Sequence, residues 1–198
     1  MKKLTAFLLL LALLLAGCTR QSTSPKMWIE PASLSEKEQN LADLLGMNST
    51  HRLFDFSLAD SAQSVRFNIY ELTDGQWQSI SGGGHALTAS SGRLAVSAEN
   101  PAFDFRIAIQ CGQDVFSSKQ TASETPDFSG MSRASASLSH RAEVLWDHEV
   151  PIFLQIVTSK TEIRTLDPEF FHTPEVFAPY DHDHIYAVTL QFSQSPLQ

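Results

Sequence analysis

Residues 65–80 read VRFNIYELTDGQWQSI, and this stretch decides the fold class. Every second residue from Val65 to Ile69 is apolar, and a period of two is typical of a strand with one face in the core and the other in solvent. Asp74-Gly75 indicates a two-residue hairpin turn because both residues tolerate the positive φ that such a turn requires. The stretch therefore predicts an antiparallel hairpin whose strands cover residues 65–72 and 76–80.

Similar short segments occupy most of the chain on both sides of this hairpin. Each is an alternating or continuous apolar run near turn residues, and they cover residues 54–58, 93–98, 103–111, 142–146, 152–157 and 184–192. Gly82-Gly83-Gly84 is expected to break the strand that begins at Gln76, as a flexible connection or a bulge. Proline after a capping residue predicts a short helical turn at Asp167-Pro168 and another at Thr173-Pro174.

One helix is predicted, over Ser33–Gly46. Ser35 and Glu38 have the spacing of a capping box, in which each side chain accepts a hydrogen bond from the other residue's backbone amide. Gly46 lies where a glycine ends a helix most readily. Leucines recur at helical spacing along the segment, at positions 34, 41, 44 and 45.

These elements together predict a mainly β protein: a two-sheet antiparallel sandwich-like domain with one N-terminal helix and short helical turns. A single domain is expected over residues 31–198. Residues 117–139 are rich in Ser, Ala and Thr and show little periodicity, so we expect a long, mobile surface loop there. Cys111 has the same parity as Phe105, and it is expected to be a small buried hydrophobic residue.

The first eighteen residues have the layout of an export signal. Lys2 and Lys3 are followed by an apolar run from Leu4 to Leu15, and the small residues Ala16 and Gly17 precede Cys18. The run has the length of a signal-peptide core and is shorter than the roughly 20 residues that span a bilayer.

The end of this signal resembles the lipobox of bacterial lipoproteins. The resemblance implies that residues 1–17 are removed as a signal peptide and that Cys18, the first mature residue, carries a diacylglycerol and often an N-acyl chain. Two acyl chains give stable anchoring to a bilayer. The alternative is a single uncleaved N-terminal anchor. The mature part is similar only to small surface lipoproteins, which implies no activity.

Residues 18–30 are expected to be a polar tether that holds the domain on the extracytoplasmic side of a bacterial cell membrane. Thr19 differs from the aspartate of an inner-membrane retention signal, so an outer-membrane location is compatible with the sequence if the cell has two membranes. Without Lys2 and Lys3 the mature chain has 12 basic and 22 acidic residues. This negative charge argues against nucleic acid as a partner and against electrostatic docking on anionic lipid.

Asp181-His182-Asp183-His184 and the upstream His172 contain residue types that bind metals. On an extended strand His182 and His184 point to one side and the aspartates to the other, so at most two neighbours could share an ion. A tetrahedral zinc site needs four ligands, and the sequence offers no obvious fourth. We therefore expect no metal and no cofactor, with His172, His182 and His184 as the first ligands to test.

A second region of acidic residues and histidines contains His140 and Glu143. It ends in Asp147-His148-Glu149, which lies between two apolar strands. This position favours a solvated turn.

No catalytic motif is present, because no serine lies in a Gly-x-Ser-x-Gly or Ser-x-x-Lys pattern. Tyr70 has outward parity and Trp77 lies across the hairpin from it, so this pair is the candidate ligand-binding surface. The expected function is a membrane-anchored, non-enzymatic domain that binds a protein or small molecule or supports envelope assembly. An envelope hydrolase with a dispersed catalytic site is the alternative, and a structural spacer is a third class.

Overall fold

The structure is a computed structural model that describes residues 27–44, 47, 51–121, 127–178 and 182–197. The predicted signal, Cys18 and residues 19–26 of the tether lie outside the described residues. The first seven helices and strands along the chain are β1 (Trp28–Pro31), α1 (Glu36–Leu44), β2 (His51–Ser57), β3 (Ser64–Thr73), β4 (Gln76–Ala86), β5 (Ser91–Asn100) and β6 (Asp104–Cys111). They are followed by β7 (Asp114–Thr121), β8 (Ser132–Ser137), β9 (Ala142–Glu143), β10 (Glu149–Thr158), two 3₁₀ helices (Pro168–His172 and Pro174–Phe177) and β11 (His184–Ser193).

The strands form two antiparallel sheets, as the period of two predicts. The six-stranded sheet has the order β7-β6-β5-β2-β1-β9, and the five-stranded sheet has the order β4-β3-β11-β10-β8. Aromatic pairs connect the two sheets, with ring centroids 5.5 Å apart for Phe56 and Phe192 and 5.3 Å apart for Phe67 and Phe105. The fold is therefore mainly β and sandwich-like, with one α-helix and two 3₁₀ helices among the described residues.

The core between the sheets consists of the apolar residues of alternate positions. Its largest buried members, each less than 2% exposed, include Phe54, Phe67, Phe105, Ile29, Ile69, Leu94, Ile107 and Ile109. Cys111 is 0% exposed and packs in the same core, as its parity predicts. The charged and polar residues of these strands take the other positions, and this alternation fixes the register of each strand.

The two central strands β10 and β11 of the five-stranded sheet are buried on both faces over most of their length. Every residue of β10 from Val150 to Thr158 is buried, although only part of them face the other sheet. A second hydrophobic cluster on the outer face contains Leu154, Ile156 and Phe177, with residues 163–177 packed over it. This cover explains why β10 has a continuous apolar run rather than an alternating one.

The predicted hairpin is confirmed. Thr73 pairs with Gln76 across the turn, and both turn residues have positive φ, 52° for Asp74 and 76° for Gly75. These are the angles of a type I′ turn, whose twist matches that of the strands it joins.

The expectation that Gly82-Gly83-Gly84 breaks the strand is wrong, because β4 continues through it to Ala86. The three glycines pair with residues 66–68, and a Cβ on Gly83 would lie 2.7 Å from the ring of Phe67. The absence of side chains thus makes room for a core aromatic ring. The irregularity lies earlier, where Ile69 pairs with Ser81 and Tyr70 with Ser79, which leaves Ile80 as a bulge.

The predicted loop at 117–139 is also wrong where two strands occupy it. Residues 117–121 belong to β7, and residues 132–137 form β8. Both are edge strands, and their residues within this range are mainly serine and alanine with a few larger polar residues. They are held by backbone pairing to the apolar strands β6 and β10. Their own side chains do not alternate clearly between apolar and polar, so the sequence pattern did not indicate strands. Residues 122–126 lie outside the described part of the chain.

The capping box of α1 is confirmed. The Ser35 amide donates to Glu38 Oε2 over 2.7 Å, and the Glu38 amide donates to Ser35 Oγ over 3.4 Å. The helix begins at Glu36 and ends at Leu44. The predicted positions Leu45 and Gly46 lie outside the described residues. None of the helices in the described ranges has the length and hydrophobicity that crossing a bilayer requires.

The sheet begins earlier than the predicted domain boundary. β1 starts at Trp28, so residues 28–30 of the predicted tether belong to the six-stranded sheet. Ile29 is 0% exposed and pairs with Phe56. Four residues are too few to show a period of two, and the sequence therefore did not reveal this strand.

Candidate functional site

Tyr70 and Trp77, the aromatic pair proposed from the sequence, lie against one ring of the first 3₁₀ helix. The Phe171 centroid is 5.3 Å from that of Tyr70 and 5.1 Å from that of Trp77. Trp77 Nε1 also donates a hydrogen bond of 2.8 Å to the backbone oxygen of Phe171. The two residues are half-buried in one aromatic cluster and do not form an open stacking face.

The Tyr70 hydroxyl contributes to a polar network next to this cluster. It donates to Glu149 Oε1 over 2.7 Å. Asn68 Nδ2 and Thr189 Oγ1 each donate to the same oxygen over 2.8 Å. One carboxylate oxygen of Glu149 therefore accepts three hydrogen bonds from two neighbouring strands, and these bonds fix the position of the carboxylate at the beginning of β10.

All three donors to Glu149 are neutral. Burial raises the pKa of Tyr70 above its ordinary value, and the hydrogen bond to Glu149 and its charge raise it further. The Tyr70 hydroxyl is thus protonated at neutral pH and remains a donor. None of the salt bridges among the described residues includes Glu149, so this carboxylate has no cationic side chain as a partner.

Glu149 lines a cleft of about 380 Å³ between β9, the start of β10 and the first 3₁₀ helix, which we name the Glu149 cleft. The residues that line it are Leu138, Arg141, Ala142, Glu143, Glu149, Val150, Pro151, Glu169 and His172. The lining of the cleft thus combines apolar and charged side chains.

Arg141 in the Glu149 cleft and the neighbouring His140 are each engaged with another carboxylate, and His172, which also lines the cleft, packs against Phe171. Arg141 donates two hydrogen bonds to Glu30, of 2.7 and 2.8 Å, and its guanidinium lies 4.3 Å from the Trp28 ring centroid. His140 Nε2 lies 2.9 Å from Glu169 Oε1. Both of these basic groups are therefore paired with carboxylates other than Glu149.

No family model matches this chain, and no curated protein or solved structure matches it. The chemistry of the Glu149 cleft is therefore argued from its own residues.

The histidines proposed as metal ligands lie in different places. His172 lines the Glu149 cleft and packs edge-on against Phe171. His182 and His184 line a separate pocket at the beginning of β11, where His184 Nδ1 lies 2.8 Å from Glu71 Oε1. Within the described ranges, no group of three or more His, Cys, Asp or Glu residues could hold a metal ion. The expectation of no metal stays a prediction.

The environment of His184 is aromatic and partly buried. Its ring stacks on that of Tyr186 with centroids 5.9 Å apart and meets the Phe128 ring edge-on at 5.3 Å. Burial and the nearby Glu71 carboxylate raise the pKa of Tyr186. His184 and Glu71 thus close one end of the sandwich, where Phe128 and Val157 form a third small core.

The reasoning from sequence missed Glu149, because it assigned Asp147-His148-Glu149 to a solvated turn. Asp147 does have a positive φ of 59°, as a turn residue would. Glu149, however, is the first residue of β10, and its side chain is half-buried against β3 and β11. The sequence did contain a signal for this site. An acidic residue stands at the start of an apolar strand, and two polar residues, Asn68 and Tyr70, occupy outward-facing positions of another strand.

Proposed function

We propose that this chain is a lipid-anchored protein on the extracytoplasmic side of a bacterial cell membrane, and that its sandwich is a binding module. The N-terminal sequence supports the location: Lys2 and Lys3, an apolar run and the Leu15-Ala16-Gly17-Cys18 ending. Acyl chains on Cys18 supply the anchoring energy, because each buried methylene contributes about 0.8 kcal/mol.

One observation supports the binding role. Glu149 is a carboxylate held in place by three neutral donors at the wall of a cleft, and it has no cationic partner in the described part of the chain. A ligand that carries an ammonium or guanidinium group would pair with this carboxylate through a charge-assisted hydrogen bond. We therefore propose a cationic group as the ligand of the Glu149 cleft.

Binding is favoured over catalysis by the composition of the cleft wall. The described residues that line it include no serine, threonine, cysteine or lysine, so the hydroxyl, thiol and amine nucleophiles of covalent catalysis are absent from this lining and its reactive groups are carboxylates and His172. His140 and Arg141 are held by Glu169 and Glu30 and are oriented by those pairs. An envelope hydrolase remains the alternative proposal, in which Glu149 would act as a general base.

The location is tested by fractionation of cells that express Cys18→Ser. We expect this variant to leave the membrane fraction, whereas Cys111→Ala, which removes the other cysteine of the chain, should stay with the membranes. A Cys18→Ser protein that still sediments with membranes after a salt wash would require a protein-based anchor and would overturn the proposal.

The binding role is tested by NMR titration with 1,5-diaminopentane, with the neutral 1,5-pentanediol as the reference compound. The diamine is expected to shift the Asn68 and Thr189 signals, and Glu149→Gln should abolish the shifts. Glu162→Gln, an exposed acidic residue outside the cleft, should leave them unchanged. Equal shifts with the diol, or shifts that persist in Glu149→Gln, would contradict a cation site.

A further inference from the structure

The helix α1 presents two leucines to solvent. Leu41 is 56% exposed and Leu44 is 83% exposed, whereas Ala42 is the buried residue of this helix. Residues three or four apart share a helix face, so Leu41 and Leu44 are neighbours, with Lys37 on the same side one turn earlier. Asn40 borders this face, and Glu36 and Asp43 lie on the remaining sides, so the exposed stripe contains two leucines and one basic residue with a polar neighbour.

The position of α1 on the sandwich is fixed at its N-terminal end. Arg93 of β5 lies 2.9 Å from Glu38 and 2.7 Å from Asp55, so that one guanidinium connects the helix to the six-stranded sheet. The capping box holds the first turn of the same helix. The exposed leucines are consequently carried by an element that is attached to the domain.

The length of chain before the sandwich limits how far this helix can lie from a lipid anchor. Nine residues, 19–27, lie between Cys18 and the beginning of β1 at Trp28, so the two are ten Cα–Cα steps apart. Fully extended, such a segment spans at most about 35 Å. α1 follows β1 after four residues, Ala32 to Ser35. A protein anchored at Cys18 therefore keeps α1 close to the membrane, where even a weak contact is populated because the effective concentration is high.

A bilayer fits this stripe better than a protein partner does. A stable protein interface buries about 800 Å² on each partner, which is more than two leucines on a nine-residue helix can provide. Leucines are favourable in the headgroup and acyl boundary of a membrane, and a lysine beside them can extend its ammonium to the headgroups.

We propose that α1 docks on the bilayer to which Cys18 is attached, with Leu41 and Leu44 inserted at the level of the headgroups. The docking depends on the lipid anchor of the proposed function, since two leucines alone would not hold the domain at a membrane. The docking orients the sandwich relative to the membrane, with its N-terminal helix toward the bilayer.

The test uses the full lipidated chain in phosphatidylcholine–phosphatidylglycerol vesicles, with an environment-sensitive fluorophore on Leu44→Cys. Cys111 is 0% exposed and is therefore protected from labelling in the folded protein. Ile80→Cys, an exposed apolar position on β4 of the other sheet, is the matched control. We expect a blue shift and quenching by spin-labelled lipid at position 44 and neither at position 80.

The outcomes separate the docking from the anchor. Protein that does not float with vesicles would show that the lipid anchor itself is absent. Protein that floats, with the label at position 44 still in water, would overturn the docking alone.

A blue shift that is already present without vesicles would mean that another part of the chain covers α1. A shift that grows with protein density in the membrane would indicate a second copy as the partner. Both results would also overturn the docking.

Discussion

Glu149 is the residue on which the binding proposal depends. Its position results from hydrogen bonds that converge from Asn68, Tyr70 and Thr189, which are 81, 79 and 40 residues away in sequence. A parity argument can assign Asn68 and Tyr70 to one face of β3. It cannot place them beside β10, because that requires β11 to pair between the two strands. The site was therefore beyond prediction from sequence, although each of its polar residues was visible.

Replacement of Glu149 by alanine is expected to destabilise the fold. The half-buried Asn68 and Tyr70 and the buried Thr189 would lose their common acceptor, and unsatisfied donors cost about 1–3 kcal/mol. We expect a loss of about 2 kcal/mol in the free energy of unfolding, measured by urea denaturation. Glu162→Ala, at an exposed position, should change the free energy by less than about 0.5 kcal/mol. Equal effects of the two variants would show that the network does not position Glu149.

At the scale of single elements, the sequence predicted those strands whose side chains alternate and failed for those whose side chains are small. The hairpin of β3 and β4 was recognised from its alternation and from Asp74-Gly75. The end of β4 was missed because a glycine run normally ends a strand. β8 was missed because Ser and Ala carry no burial pattern, and its pairing depends on β10. A strand that forms because it pairs with a neighbouring strand need not show an alternating pattern in its own sequence.

The glycines of β4 lead to a prediction for that strand. Gly83→Ala would place a Cβ 2.7 Å from the Phe67 ring, which is itself packed 5.3 Å from Phe105 and has little room to move. Overpacking of a core costs about 1–3 kcal/mol, so the midpoint of urea unfolding should fall. Ser79→Ala, at an exposed position of the same strand, should leave the midpoint nearly unchanged. An unchanged midpoint in Gly83→Ala would contradict the close packing of Phe67 on β4.

The N-terminus of α1 should respond to acid. The hydrogen bonds from Ser35, followed by the one from Arg93, lower the pKa of Glu38 to about 2. A lowered pKa means that the stabilisation is complete above the ordinary value of 4.5 and is lost as the pH falls toward 2. We expect the amide signals of Ser35 and Glu38 in NMR spectra to keep their positions down to about pH 4 and to shift below it. In Glu38→Gln this acid transition should disappear, and a transition that persists there would assign it to another group.

At the scale of the whole molecule, the fold class followed from the number of alternating segments and from the turns between them. The strand order did not, because alternation shows which face of a strand is buried and not which strand lies beside it. The last strand, β11, pairs with β3 and β10, and β1 pairs with β2 and β9. These pairings join distant parts of the chain and depend on the packing of the complete core.

The proposed anchor defines the function at this scale, because it determines the compartment and the orientation of the sandwich. Mass spectrometry of the N-terminal peptide, from protein extracted out of membranes with detergent, tests it most directly. The account predicts that this peptide begins at Cys18 and carries the mass of a diacylglycerol, with or without an N-acyl chain. A peptide that begins at Met1, or one that contains an unmodified Cys18, would contradict the lipid anchor.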